Sequence, residues 1–277
     1  METTQTIKLP VLATVRQSWS SVLANLGLIF RLIWPWITIM ILCGLSIGAG
    51  ILVNNGLDTP SPTLIGGASV VPVIAMVIAF LLAIPAVAVG WHRGIFRGER
   101  PQSPIRIDGG VWGYLGYSML LGIMAGLFNL LMFAIAAALA SITVGVGEGP
   151  MSLERLIALA PFLPLAFIPT LLILNRFLLV LPAVAVGRSL GFGEALKATR
   201  GNTLRLTFAA SLVSLPIVIM QGVTQLAVLA SQNPILVGVL ALLNIAVLIY
   251  CSFASLSFLS LSMKQLTPEP EMMEAAA

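Results

Sequence analysis

Six stretches of the chain are apolar for long enough to cross a hydrocarbon core, which takes about 20 helical residues. They cover about residues 32–53, 70–90, 111–142, 162–187, 206–230 and 235–263. Their apolar runs are continuous rather than alternating, so the pattern predicts helices and not the ten-residue strands of an outer-membrane barrel. Helices are also what lipid demands, because backbone N–H and C=O groups find no partner in hydrocarbon. The first run starts too late and runs too long for a cleaved signal peptide, so it reads as a retained span. Ahead of it, Leu12, Val15, Trp19, Val22, Leu26 and Ile29 recur at steps of three and four. That spacing predicts one amphipathic helix over Val11–Phe30, lying in the headgroup plane with Trp19 as an anchor. A plain inward extension of the first span is the other reading.

The links carry breaker residues. Asn54–Asn55–Gly56 and Pro60–Ser61–Pro62 follow the first span, Gly145–Pro150 follows the third, and Ser231–Pro234 turns the fifth into the sixth. Ser152 is positioned to cap a short helix over Leu153–Ala160. Pro101 and Pro104 predict an irregular second link. In the fourth link Ser189 suits a cap, Glu194 a first turn, Lys197 and Arg200 a last turn, and Gly201 a stop. Residues 1–266 form a single integral-membrane domain on this reading. Residues 267–277, with two prolines and three glutamates, read as a disordered cytoplasmic tail.

Composition makes the membrane reading hard to avoid. Hydrophobic residues are 58% of the chain, charged residues 9%, and the mean hydropathy is +1.05. A soluble domain carries about 25% charge, so a water-soluble globule is excluded, as is intrinsic disorder. Cys43 and Cys251 sit in apolar runs and read as small buried hydrophobes, and His92 is the single histidine. Neither a metal site nor any other cofactor is expected. Twelve of the 14 Lys and Arg residues fall on one side of the predicted map, Arg155 on the other and Arg176 within the fourth span. A pI near 9.5 therefore reflects the positive-inside rule rather than nucleic-acid binding, and it puts both termini in the cytoplasm.

Pro-Ala-Val-Ala-Val-Gly occurs twice, at Pro85–Gly90 and Pro182–Gly187. Each copy closes an outward-to-inward span and leads into a basic link. The expected fold is an all-α membrane bundle of six transmembrane helices in three parallel hairpin repeats, with cytoplasmic interfacial helices.

Arg176, beside Asn175, is placed near the middle of the fourth span, where an arginine is costly. The predicted spans hold no Asp or Glu. Its expected partners are Asn129, Gln221, Gln225, Asn244, carbonyls freed by prolines, water or a lipid phosphate. An interhelical hub, a ligand site and an interfacial position are all open at this point. Pro161, Pro164, Pro169 and Pro182 predict kinks or a broken helix in the same span. Gly44-x-x-x-Gly48 and Gly122-x-x-x-Gly126 suit close helix packing, within one chain or in a homo-oligomer. His92 has no placed nucleophile or carboxylate, and no nucleotide-binding or hydrolase string is present.

Asn175-Arg176-Phe177…Pro182-Ala183, then Ala195-Leu196…Thr199-Arg200-Gly201-Asn202-Thr203-Leu204-Arg205-Leu206, together with Trp91-His92-Arg93…Gly98-Glu99-Arg100-Pro101, resemble six-span bacterial inner-membrane proteins. These are similar to the membrane domain found beside glycerophosphodiester phosphodiesterases and to YciC-like envelope proteins. The resemblance implies a multi-pass protein of the bacterial inner (plasma) membrane, and no catalytic residues carry over. The expected function is a non-enzymatic organiser of membrane lipids or partner proteins, meeting anionic headgroups on the cytoplasmic face. The alternative is a transporter or permease component for an anionic or amphiphilic substrate. Candidate binding residues are Arg176, Asn175, Lys197, Arg200 and Arg205.

Reporter fusions test the map. Cytoplasm-dependent reporters are expected to be active after Arg100, Arg200 and Ala277, and export-dependent ones after Pro60 and Gly149. Cytoplasmic activity at Pro60 overturns the topology.

Overall fold

The computed structural model describes residues 7–55, 62–100, 103, 105–142, 163–231 and 233–267. The expected helix Leu153–Ala160, Arg155 and the tail beyond Thr267 lie outside them. Every described element is a helix: α1 (Val11–Ala24), α2 (Leu26–Asn55), α3 (Pro62–Arg97), α4 (Gly109–Ala140), α5 (Leu163–Phe177), α6 (Val180–Ala185), α7 (Phe192–Ala198), α8 (Thr203–Ala230) and α9 (Pro234–Leu266). Six stretches are long and apolar enough to cross a membrane, with α5 and α6 together making the fourth. The antiparallel pairs α2/α3, α4/α5 and α8/α9 form three hairpins. The protein is an all-α, multi-pass membrane bundle.

Most fully buried side chains lie at one end of this bundle. They come from the starts of α2, α4 and α8 and the ends of α3 and α9, with α6 and α1 packed among them. The same end holds the basic links. Toward the other end, large apolar side chains such as Leu45, Leu52, Leu127, Leu229 and Leu242 are exposed, as lipid-facing surfaces are.

The amphipathic N-terminal stretch departs from expectation twice. It breaks at Asn25, whose side-chain amide donates to the Ser21 carbonyl at 2.8 Å. The buried face of α1 is Thr14, Val15, Ser18 and Val22, while Leu12 and Leu26 point outward. Small and hydroxylated residues let α1 sit close against α8 and α9. Thr14 Oγ1 donates to Gln265 Oε1 at 3.1 Å, and Tyr250 Oη donates to the Trp19 carbonyl at 3.3 Å. Against lipid, the large apolar residues belong outside and the small polar ones inside.

The expected fourth span, 162–187, contains the candidate span Phe167–Ala185, and it is interrupted near Pro182, one of the prolines that predict a kink or break there. Pro182 has no N–H for the Leu178 carbonyl, and its ring crowds that oxygen. The Leu181 N–H takes the carbonyl instead, at 3.1 Å, and α5 passes into α6 through a tightened turn. The two Pro-Ala-Val-Ala-Val-Gly copies then diverge. Gly90 continues α3, whereas Gly187 adopts φ +74° and ends α6. There Arg188 N–H bonds Ala183 O at 2.9 Å and Gly187 N–H bonds Val184 O at 3.1 Å, a Schellman closure. In the fourth link, α7 starts at Phe192 rather than after Ser189, with the Glu194 carboxylate accepting from Gly191 N–H at 2.8 Å.

The first hairpin closes on two glycines of α3. A Cβ on Gly90 would lie 2.5 Å from Leu32 Cδ2, and one on Gly94 would lie 2.6 Å from Leu28 Cδ2. Overpacking of this kind costs about 1–3 kcal/mol. Gly90→Val is expected to lower the melting temperature in detergent by several degrees, and adding Leu32→Ala is expected to recover part of the loss. An unchanged melting temperature for Gly90→Val refutes the close contact.

Candidate functional site

Arg93, near the end of α3, joins three parts of the chain at the basic end. Its Nη1 and Nη2 meet the two Asp108 oxygens at 2.6 and 3.1 Å, the bidentate geometry that suits guanidinium and carboxylate. Its Nε donates to the Ala185 carbonyl at 2.8 Å, and Arg97 Nη2 donates to the next carbonyl, Val186. The last turn of α6 is therefore capped by arginines of α3. Asp108 in turn starts α4, its Oδ1 accepting from Gly110 and Val111 N–H at 3.0 and 3.3 Å. Arg106 adds an ion pair to Asp108 at 2.9 Å, and Glu99 pairs with Arg97 at 3.2 Å.

The neighbours of Arg93 anchor α3 to α9. Trp91 Nε1 donates to Ser257 Oγ at 3.0 Å, and His92 Nδ1 lies 2.7 Å from Ser260 Oγ. Both rings are fully buried. His92 is thus a core residue on a serine rung. Asn202 clamps the N-terminal segment, its Oδ1 accepting from Leu9 N–H at 2.9 Å and its Nδ2 donating to Ile7 O at 2.7 Å. Arg205 Nη1 donates to Leu9 O at 3.0 Å.

Arg176 bonds none of the four side chains expected for it, Asn129, Gln221, Gln225 and Asn244. Asn129 takes the Thr170 hydroxyl at 2.7 Å and Asn244 lies 3.5 Å from Thr224 Oγ1. The Arg176 guanidinium instead caps α7, with Nη2 on Leu196 O at 2.7 Å and Nε on Thr199 Oγ1 at 3.1 Å. A cation on the last carbonyls of a helix is favourable on both hydrogen-bonding and dipole grounds. The chain reverses at Gly187, so α7 lies back against α5, and Phe192 stacks edge-on with Phe177 and Tyr117. Asn175 Nδ2 reaches Thr207 Oγ1, in the second turn of α8, at 3.3 Å. Arg176 accordingly sits near the basic mouth of the bundle rather than at its middle.

The five candidates do not form one pocket. Asn175, Arg176 and Arg205 spend donors inside the chain, while Lys197 and Arg200 are exposed with no protein partner. The residues that organise this end, Arg93, Asp108 and Asn202, were not among them. Asp108 followed by two glycines and an apolar run is a helix-start pattern that could have exposed its role.

Among the described residues thirteen Lys and Arg side chains face three carboxylates, Glu99, Asp108 and Glu194. All three carboxylates are engaged, the last by its own helix start. Lys8, Arg16, Arg31, Arg100, Lys197, Arg200 and Lys264 are exposed and pair with none of them. All five tryptophans lie at this end too, with Trp34 and Trp112 exposed. Exposed tryptophan beside arginine marks a membrane–water boundary. No group of three or more His, Cys, Asp or Glu among the described residues is arranged to hold a metal.

The hydrogen bond from Arg93 is the main reason the Asp108 carboxyl is held down at about 2. The charges of Arg93 and Arg106 and the Val111 N–H add to it, and partial burial opposes it. A depressed carboxyl stabilises the folded state above its unfolded value and loses that contribution as pH falls through the folded one. The melting temperature is expected to fall between about pH 4 and pH 2 as Asp108 protonates. Asp108→Asn is expected to lower it already at pH 7 and to shrink the acid-dependent drop. An unaltered acid limb in that variant refutes the linkage.

Comparison with protein-family models, with curated proteins and with solved structures finds no match to this chain.

Proposed function

We propose that this membrane protein is a non-enzymatic organiser of anionic lipid at the cytoplasmic face of a bacterial inner membrane, with both termini on that side. The observation that carries the reading is the unspent charge at the basic end. Among the described residues, the three carboxylates there are consumed by structure, and seven exposed cations are left over at the level of a tryptophan belt. Basic residues at such a surface each attract anionic headgroups by about 1 kcal/mol. The resemblance to YciC-like envelope proteins supports the same location. Partner proteins with acidic segments would meet the same surface. A permease reading rests on Arg176, whose Nε and Nη2 are already held by α7, so it ranks second.

Lipid analysis of the protein purified in mild detergent tests this reading. The co-purified fraction is expected to be enriched in phosphatidylglycerol and cardiolipin about twofold or more over the source membrane, and to lose that enrichment in high salt. A composition equal to the bulk membrane overturns it.

A further inference from the structure

The leftover charge is not spread evenly. Arg31 and Arg100 line one cavity of about 210 Å³ with Ala24, Asn25, Gly27 and Leu28. Arg31 stands near the start of α2, and Arg100 follows the end of α3, where Gly98 with φ +64° turns the chain. The contact of Leu28 with Gly94 fixes these two elements against each other. Neither guanidinium has a partner among the described residues, where the carboxylates Glu99 and Asp108 are held by Arg93, Arg97 and Arg106. Arg100 also borders a smaller cavity, of about 50 Å³, that reaches Trp36 and Arg106.

Two guanidinium groups on one concavity repel each other unless an anion lies between them. The rest of the lining is the end of α1 at Ala24 and Asn25 and the first turn of α2 at Gly27 and Leu28, which bring no carboxylate to the cavity. The space holds several waters, so a phosphate group fits. Planar forks on two sides suit the tetrahedral oxygens of a phosphate better than a single carboxylate. Trp34, exposed one turn along α2 from Arg31, puts the cavity at the headgroup level of a bilayer.

We propose that the Arg31–Arg100 cavity is a specific site for the phosphate of an anionic lipid headgroup. This rests on the lipid-organising reading and gives it one defined site.

Native mass spectrometry of the full-length protein, delipidated in neutral detergent, tests it. The probes are dioctanoyl phosphatidylglycerol, dioctanoyl phosphatidylcholine and inorganic phosphate. The variants are Arg31→Gln, Arg100→Gln, their double, and Arg31→Lys, with Arg16→Gln and Arg200→Gln as controls outside the cavity. One phosphatidylglycerol is expected to bind most tightly, weakened about tenfold or more in the double variant and about twofold or less in the controls. Arg31→Lys is expected to fall between wild type and Arg31→Gln. Inorganic phosphate binding as tightly as the lipid, and lost in the same variants, keeps the phosphate site but makes its ligand soluble. Equal weakening in the controls, or unchanged binding in the double variant, overturns the site. Either result leaves the enrichment of anionic lipid in the purified protein as a separate measurement, so the broader reading stands or falls on its own. A melting curve for each variant shows that binding losses are not losses of fold.

Discussion

One guanidinium holds the basic end together. Arg93 reaches the start of α4 through Asp108 and the end of α6 through the Ala185 carbonyl, while its own helix carries Trp91 and His92 into α9. All three hairpins meet around this turn of α3. The arrangement is economical in charge. A half-buried arginine needs a counter-charge, an acidic cap needs a cation, and a helix end buried against a neighbour needs donors. Each of these needs is met by another group in the same cluster, and Arg97 and Arg106 complete it. Because Glu99 and Asp108 are consumed there, the remaining cations are left to face outward.

The membrane architecture was legible because each span is a continuous apolar run, and that signal needs no tertiary information. The ends at the basic side were harder to read. The start of α2 carries Arg31 and the end of α3 carries Arg97, and charge ends an apolar run before it ends a helix. The first helix was read only in part. Its apolar stripe reads as an interfacial face, yet Val15 and Val22 of that stripe pack into the protein together with Thr14 and Ser18, while Leu12 and Leu26 stay exposed. Arg176 looked deep because it lies in an apolar run. That run continues into a packed turn, and only the reversal at Gly187 brings α7 back to it. Bonds such as Arg93 to Ala185 link residues 92 positions apart, beyond any spacing rule.

Packing is uneven along the bundle axis. At the basic end, buried side chains from all three hairpins interlock. Toward the opposite end, contact is mainly between the two helices of each pair, as between Asn129 and Thr170. Without a hydrophobic force between helices in lipid, such pairs are held by close contact and by isolated polar bonds. The rigid part of the molecule is therefore the part that carries the charges, which keeps their spacing fixed.

The N-terminal helix has a particular place in the order of synthesis. Its partners Tyr250 and Gln265, and Asn202, which holds Ile7 and Leu9 just ahead of it, are encoded some 190 to 250 residues downstream. When α1 leaves the ribosome, none of them exists. Docking is complete only when the last turns of α9 emerge, so α1, made before the six spans, reaches its final place after them. A chain halted before α9 would hold five of its six spans and leave α1 without Tyr250 and Gln265, a half-built state that differs from the finished protein at its N-terminal helix.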